Sequence, residues 1–134
     1  VKLREHLQRG GTLFADACCG REPFDTSFRA LVRKLLPDGE LKQIPVTHEL
    51  FGSAVGGDPI GYDLSRVQYT KAMPRPEGEP FLEGVELDGR FVIIYSKYDI
   101  GCALERHQGS DCRGYMHESA VKIATNVILY ALLQ

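Results

Sequence analysis

Asp88–Gly89 stands between two apolar runs, Val85–Glu86–Leu87 and Phe91–Val92–Ile93–Ile94–Tyr95. An Asp-Gly pair tolerates the positive φ angles of a type I′ turn, so the two runs are expected to fold back as an antiparallel hairpin. The second arm is the most apolar strand of the chain, which places it centrally in a sheet covered on both faces.

The segments before it read as helix, strand, helix, strand, half of a layered α/β sheet. Residues 1–9 carry Val1, Leu3 and Leu7 among charges and form an amphipathic tail that Gly10–Gly11 stops. Thr12 to Ala17 reads as a short buried strand. Asp25 is expected to cap a helix bearing Phe28, Leu31, Val32, Leu35 and Leu36, which Pro37 ends. Leu41 to Ile44 is a second short strand. The last helix runs from about Glu118 to Leu133, with Val121, Ala124, Ile128 and Ala131 on its packed face and Ile123, Val127 and Leu132 beside them.

From Gly52 to Pro80 the chain holds five glycines and four prolines and few apolar positions in any period. A stretch of that kind inside a compact domain reads as a functional or mobile loop, with Val67 to Ala72 as a short edge strand. Its Gly56–Gly57–Asp58–Pro59 is no phosphate loop, because no Gly-Lys-Ser/Thr follows.

With 134 residues, 43% hydrophobic and 25% charged, the chain suits one α/β domain over 1–134 that carries this insertion at about 52–80. A net charge of −2 without a basic stripe argues against nucleic acid as main partner. No apolar run, Phe91 to Tyr95 included, is long enough to span a bilayer. No signal peptide or lipidation motif is visible, but the chain opens on Val1 inside a helix, as a trimmed piece would. Compartment therefore stays open, as does the state of the four cysteines. An intracellular protein keeps them as thiols, and an exported one can pair Cys102 with Cys112.

Leu7-Gln8-Arg9-Gly10-Gly11-Thr12-Leu13-Phe14-Ala15-Asp16 resembles the entry of the bacterial domain-of-unknown-function family 4159, a helix, Gly-Gly, a strand and an Asp. Leu87-Asp88-Gly89-Arg90-Phe91-Val92-Ile93-Ile94-Tyr95-Ser96, followed by Tyr98-Asp99-Ile100-Gly101, is similar to a later segment of it. The closing helix with Asn126 and Tyr130 fits as well. The resemblance covers nearly the whole chain. It implies a flavodoxin-like, class I glutamine amidotransferase-like three-layer sandwich, in a fragment that lacks the upstream strands of other members. It implies no activity.

In open α/β sheets, ligands bind beyond the C-terminal ends of the strands. Asp16, Cys18 and Cys19 follow one strand here, and Asp99 and Cys102 the other, with His107, Asp111, Cys112, His117 and Glu118 in the loop beyond. Cys18-Cys19-Gly20 occupies the place where amidotransferase-like and PfpI-type peptidase families carry a Cys-His-Gly nucleophile, with Cys19 where that His would be. A thiol at Cys18 would take His117, followed by Glu118, as its base. Asp16 two residues earlier, and Pro23 delaying the helix to about Asp25, weaken the match to a nucleophile elbow. The structural reading, set above the catalytic one, is that Cys18 and Cys19 are small, buried, unreactive side chains.

Cys18, Cys19, Cys102, Cys112, His107 and His117 also supply enough soft ligands for Zn²⁺ if they converge, although their spacing matches no zinc motif. Asp16 and Asp99 each follow an apolar strand, where a carboxylate needs partners. Ligand contact is one reading, and acceptance of backbone N–H bonds is the other. Tyr62, Tyr69 and Tyr98 line a groove or simply pack. His6 reads as a surface residue, and His48 begins a turn before Leu50–Phe51. The expected function is a non-enzymatic or degenerate amidotransferase-like module that binds a small ligand or a protein partner, with Asp16, Cys19, Asp99 and His107 in contact. The alternative is a cysteine-dependent hydrolase or amidotransferase-like enzyme using Cys18, His117 and Glu118.

Overall fold

The computed structural model describes residues 2–57 and 59–133; Val1 of the amphipathic tail and Asp58 of the Gly-Gly-Asp-Pro segment lie outside them. The elements run α1 (Lys2–Gln8), β1 (Leu13–Asp16), α2 (Glu22–Leu35), β2 (Lys42–Gln43), β3 (Val67–Gln68), β4 (Glu77–Gly78), β5 (Glu83–Leu87), β6 (Arg90–Ser96), α3 (Gly101–Glu105) and α4 (His117–Leu132). Single 3₁₀ turns lie at Cys18–Gly20, Glu49–Phe51 and Val55–Gly57. No helix among the described residues is long and apolar enough to cross a membrane.

The hairpin forms as its turn chemistry predicts. Asp88 and Gly89 both take positive φ, 53° and 78°, which fits a turn of the I′ kind. The main sheet has the order β1-β6-β5-β2, with β6 central, parallel to β1 and antiparallel to β5. Val85 pairs with Ile93 and Glu86 with Phe91, so Val92 is an extra residue in the ladder. That bulge shifts the alternation of side chains. Phe91 and Ile94 consequently pack on the α4 side, while Val92, Ile93 and Tyr95 pack on the α2 side.

Helices cover both faces. On one, Leu7 of α1 and Phe28, Val32 and Leu35 of α2 meet Val92, Ile93 and Tyr95. On the other, Ala120, Ile123, Val127 and Tyr130 of α4 meet Phe91 and Ile94. This corrects the expected face of the last helix. Val121 and Ile128 are exposed, Ile128 by 54%, and Leu132 by 74%, so the buried stripe is turned from the predicted one. A helix apolar all round does not announce which side meets the sheet.

The start of α2 is corrected too. It begins at Glu22 with Pro23 in its first turn, where a missing N–H costs nothing. Asp25 is therefore inside the helix rather than its cap. Its carboxylate instead accepts the Tyr95 hydroxyl at 2.7 Å and Arg29 Nε at 3.0 Å. Arg29 also forms a two-pronged pair with Glu83, at 2.6 and 3.0 Å. Burial raises the Asp25 carboxyl, but the hydrogen bonds from Arg29 and Tyr95 and the Arg29 and Lys97 charges outweigh it and hold it below its ordinary value.

The middle segment is pinned rather than structureless. β3 and β4 make a separate antiparallel ribbon, and Val55, Leu64 and Val67 enter the core. The expected strand from Val67 shrinks to two residues followed by one bridge, Tyr69 to Tyr115. Asn126 Nδ2 donates to the carbonyls of Leu50 and Tyr62, both at 2.9 Å, and its Oδ1 accepts the Tyr62 N–H at 2.9 Å. The Tyr115 hydroxyl accepts the Phe81 N–H and donates to its carbonyl, and the Tyr130 hydroxyl accepts the Phe91 N–H. His48 Nδ1 accepts the Leu50 N–H at the turn predicted there, and His6 is exposed as expected.

Three outcomes are expected. Asn126→Ala leaves buried backbone groups without partners and is expected to cost about 3 kcal/mol in urea unfolding, with faster proteolysis within 52–80. Arg29→Met strands the buried Glu83 and is expected to cost about 2 kcal/mol, less than a fully buried pair because Arg29 is partly exposed. Because Asp25 is held below its unfolded value of about 3.9, its contribution is complete above that value and is lost as pH falls through its folded one. The urea midpoint should therefore drop below about pH 4, and less steeply in Asp25→Asn.

Candidate functional site

Parallel pairing of β1 and β6 sets Asp16 opposite Ser96, so the two strands end at one level of the sheet. Each end then holds the other's loop. Asp16 Oδ2 accepts the N–H groups of Ile100 and Gly101, both at 2.8 Å. Asp99, fully buried, reaches back. Its Oδ1 accepts the N–H groups of Cys19 and Cys102 at 3.2 Å, and its Oδ2 accepts Ala103 N–H and Gln108 Nε2 at 3.0 Å. Both carboxylates thus take the backbone hydrogen bonds that burial of such a group requires.

A third segment closes the site. Asp99 N–H donates to Arg113 O, Tyr115 N–H donates to Asp99 O, and Arg113 N–H donates to Cys19 O. Gly114 is needed at this approach, since a Cβ there would lie 2.5 Å from the Cβ of Asp99. Arg113 Nη2 also reaches Gly20 O at 2.7 Å.

This framework brings the sulfurs together. Cys18 Sγ and Cys102 Sγ lie 3.1 Å apart, and the Cys112 thiol interacts with that of Cys19. One donor atom each from Cys18, Cys19, Asp99 and Cys102 lies within 4.8 Å of every other. All four cysteines are free thiols, and Cys102 meets Cys18 rather than Cys112. The Cys18 hydrogen bond, burial and the Asp99 charge push the Cys102 thiol up; burial and the Cys19 contact push up that of Cys112. Both therefore stay protonated at neutral pH, which makes them poor nucleophiles.

Cys19 has φ 56° and ψ 20°, the left-handed region that a residue with a Cβ seldom occupies. Its N–H on Asp99 and its carbonyl on Arg113 hold it there. Gly20 follows, also at positive φ, and then α2.

The cluster of Cys18, Cys19, Asp99 and Cys102 contains no histidine. His117 begins α4 and places Nδ1 2.8 Å from the Ala103 carbonyl, while Cys18 has its hydrogen bond to Cys102. Helix α3 packs against both the Cys18–Gly20 turn and α4. Glu118 is exposed and lines a small groove with His117, Tyr62, Arg106 and Lys122. His107 and Asp111 are exposed on the loop after α3. Tyr69 and Tyr98 share another groove with Phe81 and Pro80, away from Tyr62. Gln108 and Arg113, which orient the Asp99 region, carried no motif by which the sequence would single them out.

A cleft of about 800 Å³ opens beside this region, lined by Gln68, Tyr69, Thr70, Lys71, Gln108 and Met116 among others. Gln108 is shared, its amide holding Asp99 and Tyr115 O from the cleft wall. Thr70 donates to Cys112 O at 2.6 Å and so ties the opposite wall to the same segment.

No curated protein matches this chain. The family described as Domain of unknown function (DUF4159) matches it over residues 1–132, nearly its full length, and the chain belongs to that family.

Proposed function

We propose that the chain is a non-catalytic, amidotransferase-like module that binds its ligand at the thiol-lined crevice beyond β1 and β6. The observation that carries this reading is the pairing of Cys18 with Cys102 while the His117 ring nitrogen Nδ1 engages a backbone carbonyl. A nucleophilic thiol needs a base within hydrogen-bond reach. Cys18 faces a second thiol, and Asp16, Cys19 and Asp99 around it serve as anchors. The adjoining cleft has the size of a small-ligand site and combines Tyr69, Pro76 and Met116 with polar side chains such as Gln68, Thr70 and Gln108. Helices on both faces of the sheet and the adjacent parallel strands support the flavodoxin-like comparison, from which the antiparallel β5–β6 hairpin departs.

A cysteine-dependent hydrolase is the second reading, and two observations favour it. The left-handed Cys19, with α2 beginning three residues later at Glu22, gives the strand–turn–helix course of a nucleophile elbow. If His117 Nδ1 donates to Ala103 O, Nε2 is left as the acceptor that a base requires. Alkylation by iodoacetamide at neutral pH, read by mass spectrometry on reduced, metal-free protein, separates the two. The binding module predicts that Cys18 reacts no faster than a free thiol and that His117→Ala leaves its rate unchanged. Faster alkylation that falls tenfold in His117→Ala would replace this reading with the enzyme.

A further inference from the structure

We infer that Cys18, Cys19, Cys102 and Asp99 form a binding site for one soft divalent metal ion of the Zn²⁺ class. This deepens the ligand-binding reading above and rests on it. Thiolate-rich sets select such ions, and zinc takes four ligands in a tetrahedron. Donors about 2.3 Å from a tetrahedral ion sit about 3.8 Å from one another. Here the four donor atoms lie within 4.8 Å, with the Cys18–Cys102 pair at 3.1 Å. Closing around an ion therefore asks for movements of about 1 Å or less.

The framework is built before any ion arrives. Cys18 and Cys19 follow β1, and Cys102 and Asp99 follow β6, so two adjacent strands supply two donors each. The backbone of Cys19 is held from both sides by Asp99 and Arg113. Within Asp99 the two oxygens differ. Oδ2 has the shorter contacts, to Ala103 N–H and Gln108, whereas Oδ1 has two long ones at 3.2 Å. Oδ1 is thus the metal-facing oxygen, and Gln108 orients the carboxylate through the other, as outer partners of metal ligands commonly do.

Cys112 is buried and is not among the four donors. Cys18 is exposed, so the ion would enter from its side. His107 and His117 lie outside the cluster, and the donor set is three sulfurs and one oxygen. Each thiol that binds as thiolate passes its proton to solvent, so one Zn²⁺ displaces up to three protons.

The test uses the full chain, reduced with a non-thiol reagent, stripped by a chelator and titrated with Co²⁺ and then Zn²⁺. The expected result is thiolate-to-cobalt charge-transfer absorption with the visible bands of tetrahedral coordination, saturating at one ion per chain and abolished by Zn²⁺. Proton release in weak buffer should approach three per Zn²⁺. Cys18→Ser and Cys102→Ser should each weaken binding more than about tenfold, and Gln108→Ala about tenfold. Circular dichroism checks that these variants fold; the wild-type cobalt spectrum decides the question even if one does not. Folded, reduced protein without a charge-transfer band overturns the inference, as does a Cys18–Cys102 disulfide that resists reduction. Such a failure with slow Cys18 alkylation leaves the ligand-binding module standing, whereas fast, His117-dependent alkylation removes the module reading itself.

Discussion

Asp16 and Asp99 hold the chain together where its two parallel strands end. Each carboxylate is rooted at the end of one strand and accepts N–H groups from the loop that follows the other. β1 has only four residues, too few for its ladder alone to direct the loop beyond it. The reciprocal bonds supply that direction, and charged acceptors make stronger hydrogen bonds than neutral ones. A buried carboxylate without partners would destabilise the fold, so the same groups that shape the site also enforce its geometry. The meeting of Cys18 with Cys102 follows from this exchange.

The opposite face of the sheet is organised by a different device. Asn126, Tyr115 and Tyr130 each spend a buried polar group on the backbone of an irregular segment. That is how a stretch rich in glycine and proline is ordered without long strands of its own. The ribbon of β3 and β4 then forms one wall of the cleft, with the loop that carries Gln108 forming the other. Site and cleft share Gln108, and Thr70 of the cleft is tied to the Cys112 carbonyl beside the site.

Much of this was legible in the sequence where a local rule determined the outcome. Asp88–Gly89 specified the hairpin, the apolar run 91–95 specified the central strand, and strand order placed the cysteines at one end of the sheet. The backbone-accepting role weighed for Asp16 and Asp99 matches their contacts. Tertiary contacts decided the rest. Asp25 reads as a cap by type, yet Tyr95 and Arg29 claim its carboxylate. The face of α4 depends on Asn126 and on how Phe91 and Ile94 point after the Val92 bulge, which no periodicity encodes. The left-handed Cys19 is held by residues 80 and more positions away. Gln108 sits in a polar loop with nothing local to mark it.

The central claim is that the carboxylate exchange places Cys18 and Cys102 side by side. A trivalent arsenical that bridges two thiols measures this directly, because capture by two sulfurs on one chain requires their proximity. Wild-type protein should bind one equivalent tightly. Cys18→Ser and Cys102→Ser should lose that binding, and Asp99→Asn should weaken it while the protein stays folded. Tight capture that survives in Cys18→Ser, or none in the reduced wild type, would contradict the account.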